Sequence, residues 1–269
     1  MTNKQISKYL DKIIFEDCIE GMKKLPNRSV DLILADPPYN LSKGNIWKWD
    51  NSVKLPGMGG DWKKIMEDWD DLSFSDYWQF TIMWLQEIRR ILKPSGSFWI
   101  CGTYHNIGII NSILQLLKME ILNEIIWYKR NAFPNLSGRR FTASHETLLW
   151  GHIGKKREYY YAYEEVKEME FSNDLMKKKG KQMRTVWDIP NNKPKDEIKF
   201  GKVASQKPVA LFERIINATS KKNDVCLIPF CGGGSECIAS IRTKRKFIAF
   251  ENNKEHYDIS VKRIRAEKK

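Results

Sequence analysis

Residues Val30-Asp31-Leu32-Ile33-Leu34-Ala35 form a short, mostly apolar run that ends in Asp36-Pro37-Pro38-Tyr39. A run of that length closed by turn residues reads as a buried strand. Open α/β sheets put their chemistry at the carboxyl ends of such strands. The tetrad places a carboxylate, two rigid prolines with exposed carbonyls and an aromatic ring in one turn. These are the groups that hold a planar, amine-bearing ring such as a nucleobase.

Strand and helix alternate on either side of this point. Residues 13–15 read as a short strand and 18–24 as a helix, stopped near Leu25-Pro26-Asn27. Over 76–92, Tyr77, Phe80, Trp84, Leu85, Ile88, Ile91 and Leu92 fall at helical spacing. Lys93-Pro94-Ser95-Gly96 then stops that helix. Strands are expected at 97–101 and 121–127, around a helix over 106–118. The rhythm returns late in the chain with a helix at 208–219, a strand at 224–229, a helix at 235–242, a strand at 246–250 and a helix at 253–265. This alternation predicts a mostly parallel sheet. Residues 40–75 lack sustained periodicity and read as a long loop, a feature that in a compact domain is often functional.

Residues 128–202 break the rhythm. They hold Lys129-Arg130, Arg139-Arg140, Lys155-Lys156-Arg157, Tyr159-Tyr160-Tyr161 and Lys177-Lys178-Lys179. Basic clusters interleaved with aromatic residues suit a nucleic-acid surface. The net charge of +13 is uneven: residues 1–127 carry 15 basic and 16 acidic groups, 128–202 carry 17 and 10, and 203–269 carry 14 and 7. The excess in the second half points to a polyanion as partner. At 269 residues the chain can bury a full core as one domain, or as one domain with an inserted lobe.

Five cysteines form no CxxC pair, which argues for a reducing compartment and against a disulfide framework. The four histidines show no ligand spacing beside them, so no metal is expected. The N-terminal residues are polar, and no apolar run approaches a membrane span. A cytoplasmic location without membrane contact is the expectation.

Phe230-Cys231-Gly232-Gly233-Gly234-Ser235 follows one strand and opens a helix. Glycines let the backbone approach a ligand, and a helix N-terminus offers N–H groups to an anion. Glu251 closes the next strand, where acidic residues accept hydrogen bonds from ribose hydroxyls. Together they indicate a nucleoside-bearing cofactor.

In this order, the pieces resemble the beta class of amino-group DNA methyltransferases, closest to adenine methylases that protect GATC or GANTC sites. The Asp-Pro-Pro-Tyr motif is Asp36–Tyr39, and the Phe-x-Gly-x-Gly motif is Phe230, Gly232 and Gly234. Ser205-Gln206-Lys207-Pro208 is similar to the family's Thr-Gln-Lys-Pro motif, and Asp17-Cys18 to its segment beside the cofactor adenine. Trp127-Tyr128-Lys129-Arg130, His145-Glu146 and Thr185-Val186-Trp187 also resemble it. The resemblance implies a doubly wound, mostly parallel seven-stranded sheet, circularly permuted. Residues 1–127 and 203–269 would be its catalytic and cofactor-binding halves, and 128–202 an inserted target-recognition region.

The resemblance further implies S-adenosylmethionine as cofactor, double-stranded DNA as substrate and adenine N6 as target, within a restriction–modification system. Asp36, Pro37, Pro38 and Tyr39 would be catalytic, with Tyr39 stacking on the flipped base. Asp17, Cys18, Asp36, Ser205, Lys207, Phe230, Gly232, Gly234, Ser235, Glu251 and Asn252 would hold the cofactor. Lys129, Arg130, Arg139 and Arg140 would contact DNA, while His145 and Glu146 read as structural. Enzymes of this kind are often homodimers, and a cognate endonuclease would be encoded separately.

Two departures from the pattern bear on cofactor affinity. Ile228 stands where the family has Asp, and Glu236 follows Ser235 where it has Thr. Two alternatives stay open at this point: cytosine-N4 methylation, and a DNA-binding protein with a decayed cofactor site.

Overall fold

The computed structural model describes residues 5–40, 72–132, 139–171, 180–191, 194–201, 203 and 206–269. Most of the expected loop at 40–75 therefore lies outside the described residues.

Eight strands form one sheet. In chain order they are β1 (Lys12–Phe15), β2 (Val30–Ala35), β3 (Leu92–Gly102), β4 (Glu120–Tyr128), β5 (His145–His152), β6 (Val186–Asp188), β7 (Val225–Ile228) and β8 (Lys246–Glu251). Their spatial order is β1-β8-β7-β2-β3-β5-β4-β6. All neighbours pair in parallel except β5, which runs antiparallel between β3 and β4. The fold is α/β and mostly parallel, as the alternation predicts. The expected count of seven strands is corrected to eight, because the short β6 adds to the outer edge of β4.

Helices cover both faces. On one lie α1 (Cys18–Lys23), α2 (Phe74–Ile91) and α3 (Ile107–Leu116). On the other lie α5 (Val209–Thr219), α6 (Ser235–Arg242) and α7 (Lys254–Glu267), while α4 (Tyr163–Glu168) packs on α5. Period-two alternation divides each central strand between the layers. Ile33, Ala35, Phe98 and Ile100 face the α1–α3 side, and Leu32, Leu34, Trp99 and Cys101 face the α5–α7 side.

The α2 boundary follows from a reciprocal cap. The Ser73 hydroxyl accepts from the Asp76 N–H at 3.1 Å and donates to the Asp76 carboxylate at 2.6 Å. Trp84, Leu85, Ile88 and Ile91 on its inner face are fully buried.

Residues 128–202, to which the alternation assigns no strand, supply both β5 and β6. β5 is bonded on both sides, from Ser97↔His152 to Gly102↔Thr147 on β3 and from Glu120↔His152 to Tyr128↔His145 on β4. Being antiparallel, it brings its first residues to the carboxyl edge of β2 and β3. That edge also carries the tetrad after β2, Phe230 after β7 and Glu251 at the end of β8. The helices that follow β2 and β7 go to opposite faces, so the two strands part at a switch point, where such sheets open a crevice.

Candidate active site

The crevice holds a cavity of about 350 Å³. One wall is Asp17 and Cys18 after β1, with Glu251 and Asn252 after β8. The floor is the turn from Pro229 to Gly233 with Ser235 and Glu236. The other wall is Asp36 through Tyr39, with Gln206 and Lys207 ahead of α5. The structure thus brings together nearly all the residues expected to be catalytic or to hold a cofactor. Gly234 lies directly behind this lining. Ser205 lies outside the described residues.

Each wall is fixed by local bonds. The Asp17 carboxylate caps α1, accepting from the N–H groups of Ile19 at 2.9 Å and Glu20 at 3.1 Å. Cys18 is buried, and burial followed by the Asp17 charge pushes its thiol far up, so it stays protonated. Glu251 accepts from the Gly232 N–H at 2.6 Å and the Asn253 N–H at 2.8 Å, tying the glycine turn to the end of β8. Gly234, the N-cap of α6, has φ +76°, a left-handed backbone that glycine adopts without a Cβ penalty. A Cβ on Gly233 would meet Gln206 Oε1 at 2.7 Å.

The charged centre is a cluster of four side chains, with Tyr39 and Lys207 buried and Asp36 and Glu146 15% and 12% exposed. Lys207 Nζ lies 2.7 Å from Asp36 Oδ2 and 3.5 Å from Glu146 Oε2. The Tyr39 hydroxyl lies 2.7 Å from Asp36 Oδ1 and 3.1 Å from Glu146 Oε2. Lys129 donates to Glu146 Oε1 at 2.9 Å. Burial raises the Asp36 carboxyl, and Lys207 only partly offsets it. Burial also acts to raise Glu146, but Lys207 and Lys129 outweigh it and leave its pKa below the ordinary glutamate value. Lys207, pulled down by burial, is carried above the ordinary lysine value by the charges of Asp36 and Glu146.

Several placements differ from expectation. Tyr39 offers no open stacking face in this arrangement. It is 6% exposed, its hydroxyl points at Asp36 and Glu146, and the Lys207 ammonium sits 4.9 Å from its ring centre. Stacking on a base requires the ring to turn outward. Glu146, read as structural, touches Tyr39, Lys129 and Lys207 at the head of β5. The signal that would have found it is strand direction, since the first residues of an antiparallel strand land at this edge.

Lys129, read as a DNA contact, is turned inward onto Glu146. Arg130 is held in a two-point pair with Asp188, at 3.0 and 2.5 Å. Arg139 and Arg140 are exposed, and Arg140 contacts the hydroxyl of exposed Tyr104 beside fully exposed Phe141. Lys207, assigned to the cofactor alone, ties Asp36 of the tetrad to Glu146 at the head of β5. The Pro38 carbonyl accepts from the Tyr77 hydroxyl at 2.7 Å, whereas no described residue donates to the Pro37 carbonyl. Ile228 is fully buried in the layer of α5–α7 and does not line the cavity.

The family described as DNA methylase, of N6/N4 methyltransferases, matches residues 30–262. The chain is 36% identical over 269 residues to the Type II methyltransferase M.HinfI of Haemophilus influenzae, covering 98% of this chain and 71% of that one. It is 39% identical over 253 residues to the Type II methyltransferase M2.LlaDCHI of Lactococcus lactis subsp. cremoris, covering 94% and 88%. Among solved structures, the complex of M1.HpyAVI with SAM is similar at a TM-score of 0.63 and 22% identity, covering 94% of this chain and 98% of that one. The PvuII DNA methyltransferase, cytosine-N4-specific, is similar at a TM-score of 0.69 and 17% identity, covering 94% and 85%.

Proposed function

Because this chain belongs to the DNA methylase family of N6/N4 methyltransferases, we propose that it methylates adenine N6 at specific sites in double-stranded DNA, using S-adenosylmethionine. The observation that carries the reading is Asp36, a cavity-lining carboxylate, 15% exposed, held by Lys207 and Tyr39. As in other Type II methyltransferases, its product would protect DNA from a cognate endonuclease encoded separately.

The cavity fits that cofactor by its own chemistry. Glu251 offers carboxylate oxygens for ribose hydroxyls at the end of β8. At Gly233 a Cβ would strike Gln206, which lines the cavity, so the glycine keeps that part of the turn open. Gln206 Oε1 is buried without a partner and Gln206 lines the cavity, so a donor on a bound group completes it. When bound, S-adenosylmethionine supplies a methyl group already activated on sulfonium.

The chain's own residues supply the nucleophile's geometry. Adenine N6 is a poor nucleophile because its lone pair is delocalised into the ring. Asp36 accepts one N6 hydrogen, and the Pro37 carbonyl, which has no other donor among the described residues, accepts the second. The nitrogen is drawn toward tetrahedral geometry and its lone pair turns out of the ring plane. Asp36 then takes the proton that N6 loses. Lys207 holds the carboxylate in orientation throughout. Catalysis on this reading is positioning and electrostatics, with no covalent enzyme intermediate. N6 is out of reach inside the duplex, so the base is flipped and Tyr39 turns outward to stack on it. Residues 128–202 carry target recognition, with exposed Arg139 and Arg140 as contacts to DNA.

Cytosine N4 is an amine of the same geometry, and the cytosine-N4-specific PvuII enzyme has a similar fold. The deciding experiment incubates purified protein with S-adenosylmethionine and unmethylated genomic DNA, followed by nucleoside mass spectrometry. N6-methyladenine is the expected product. N4-methylcytosine would move the target to the second reading, and neither product from folded protein would refute both.

A further inference from the structure

Five carboxyl groups line the cavity, and four of them take donors from other residues. Glu16 pairs with Lys24, Asp17 accepts the first N–H groups of α1, Asp36 holds Lys207 and Tyr39, and Glu251 accepts two backbone N–H groups. Glu236 is different. It sits in the first turn of α6, is 3% exposed and lines the cavity. Its carboxyl takes only its own backbone N–H, and no described residue forms an ion pair with it. A buried carboxylate without a partner is costly, so the arrangement is incomplete until a cation arrives.

We propose that Glu236 is a cofactor-binding residue whose carboxylate receives the ammonium of the methionine part of S-adenosylmethionine. The inference rests on the cofactor assignment above. That cofactor carries two cationic centres, and only the ammonium has N–H donors. A carboxylate served only by its own backbone N–H is completed by the donors of the ammonium, not by the sulfonium.

The groups facing Glu236 are Asp36 after β2, Lys207 ahead of α5, Arg263 on α7, and the thiols of Cys101 on β3 and Cys237 on α6. Burial first, then the Asp36 charge, push the Glu236 carboxyl up to about 8. With no cation against it, the carboxyl is largely protonated at neutral pH. An arriving ammonium favours the ionised form and lowers that value. Binding below about pH 8 therefore releases a proton. Affinity strengthens as pH rises toward neutrality and weakens above about pH 8, where the ligand's own α-amino group loses its proton.

The test uses calorimetric titration of the full chain with S-adenosylmethionine, S-adenosylhomocysteine and 5′-methylthioadenosine. The second lacks the sulfonium and the third lacks the whole amino-acid part. At about pH 7, titrations in phosphate and Tris report the proton released. Glu236→Gln is expected to weaken binding of the first two about ten- to a hundredfold, abolish proton release and leave 5′-methylthioadenosine unchanged. Glu236→Asp, which keeps the charge, should recover part of the loss. Unchanged binding of 5′-methylthioadenosine also shows that the variant's cavity is intact. Equal loss for all three ligands would overturn the proposal, as would loss confined to S-adenosylmethionine, which would assign Glu236 to the sulfonium. Unaltered affinity and proton release would make Glu236 a neutral wall. If the wild-type chain bound none of the three, the cofactor assignment itself would fall.

Discussion

Replacing Lys207 by Met removes the cation that ties Asp36 to Glu146. The side chain is 2% exposed, and Met fills a similar volume. Asp36 would keep only a share of the Tyr39 hydroxyl, whose single hydrogen also faces Glu146, whereas Glu146 would keep Lys129 at 2.9 Å. Most of the uncompensated charge therefore falls on Asp36. Breaking a buried pair from one side costs about 3–5 kcal/mol. With a urea m-value of about 2–3 kcal/mol per molar, the unfolding midpoint at about pH 8 should drop by about 1–2 M. The direction with pH follows from linkage. In the variant, burial acts on Asp36 without the Lys207 charge, so its folded pKa lies above its unfolded value. Both states bind the proton in acid, where the deficit shrinks. The deficit grows as pH climbs past the unfolded value and is complete above the folded one. Adding Asp36→Asn to Lys207→Met should restore most of the loss, and adding Glu146→Gln should restore less. A cost of under about 1 kcal/mol with no pH dependence would refute the account of the cluster as a buried, mutually dependent pair.

Asp36→Ala should lower methyl transfer by at least about a hundredfold while leaving calorimetric binding of S-adenosylmethionine measurable. Tyr39→Ala should raise KM for DNA more than KM for cofactor, because its ring serves the base; steady-state assays varying each substrate in turn check this. Gly234→Ala forces a Cβ into a left-handed backbone at φ +76° and should cost about 1–2 kcal/mol, read as a lower thermal midpoint. Arg139→Ala with Arg140→Ala should reduce the slope of log affinity against log salt by about 1–2, whereas Arg130→Ala, whose partner is Asp188, should change it little.

What was legible in the sequence was local. Val30–Ala35 and the tetrad could be read because an apolar run and two prolines carry their own conformational consequences. The glycine turn could be read because Gly234 needs a positive φ wherever it lies in the fold. β5 was missed because its two polar leading residues, His145 and Glu146, mask a short apolar stretch inside a basic region. The roles of Glu146 and Lys129 were missed with it. Both depend on a pairing across the β4–β5 hairpin, where Trp127 meets Glu146 and the Lys129 N–H meets the Ser144 carbonyl at 2.7 Å. Lys129 and Arg130 are adjacent and alike in charge, yet one faces the cavity cluster and the other Asp188. Composition assigns both to a basic surface, and strand geometry separates them.

The position of β5 bears on how such a protein can be re-engineered. On the proposal that residues 128–202 carry target recognition, a designer seeking a new target site would exchange them as a cassette between relatives. That exchange would also replace a strand bonded on both sides in the interior of the sheet, together with Glu146, so the joint between β3 and β4 would have to re-form around foreign side chains. The interchangeable units are narrower: the stretches 129–144 and 153–185, grafted with β5 left in place. Within the first of them, Lys129 must be retained, because its partner remains behind.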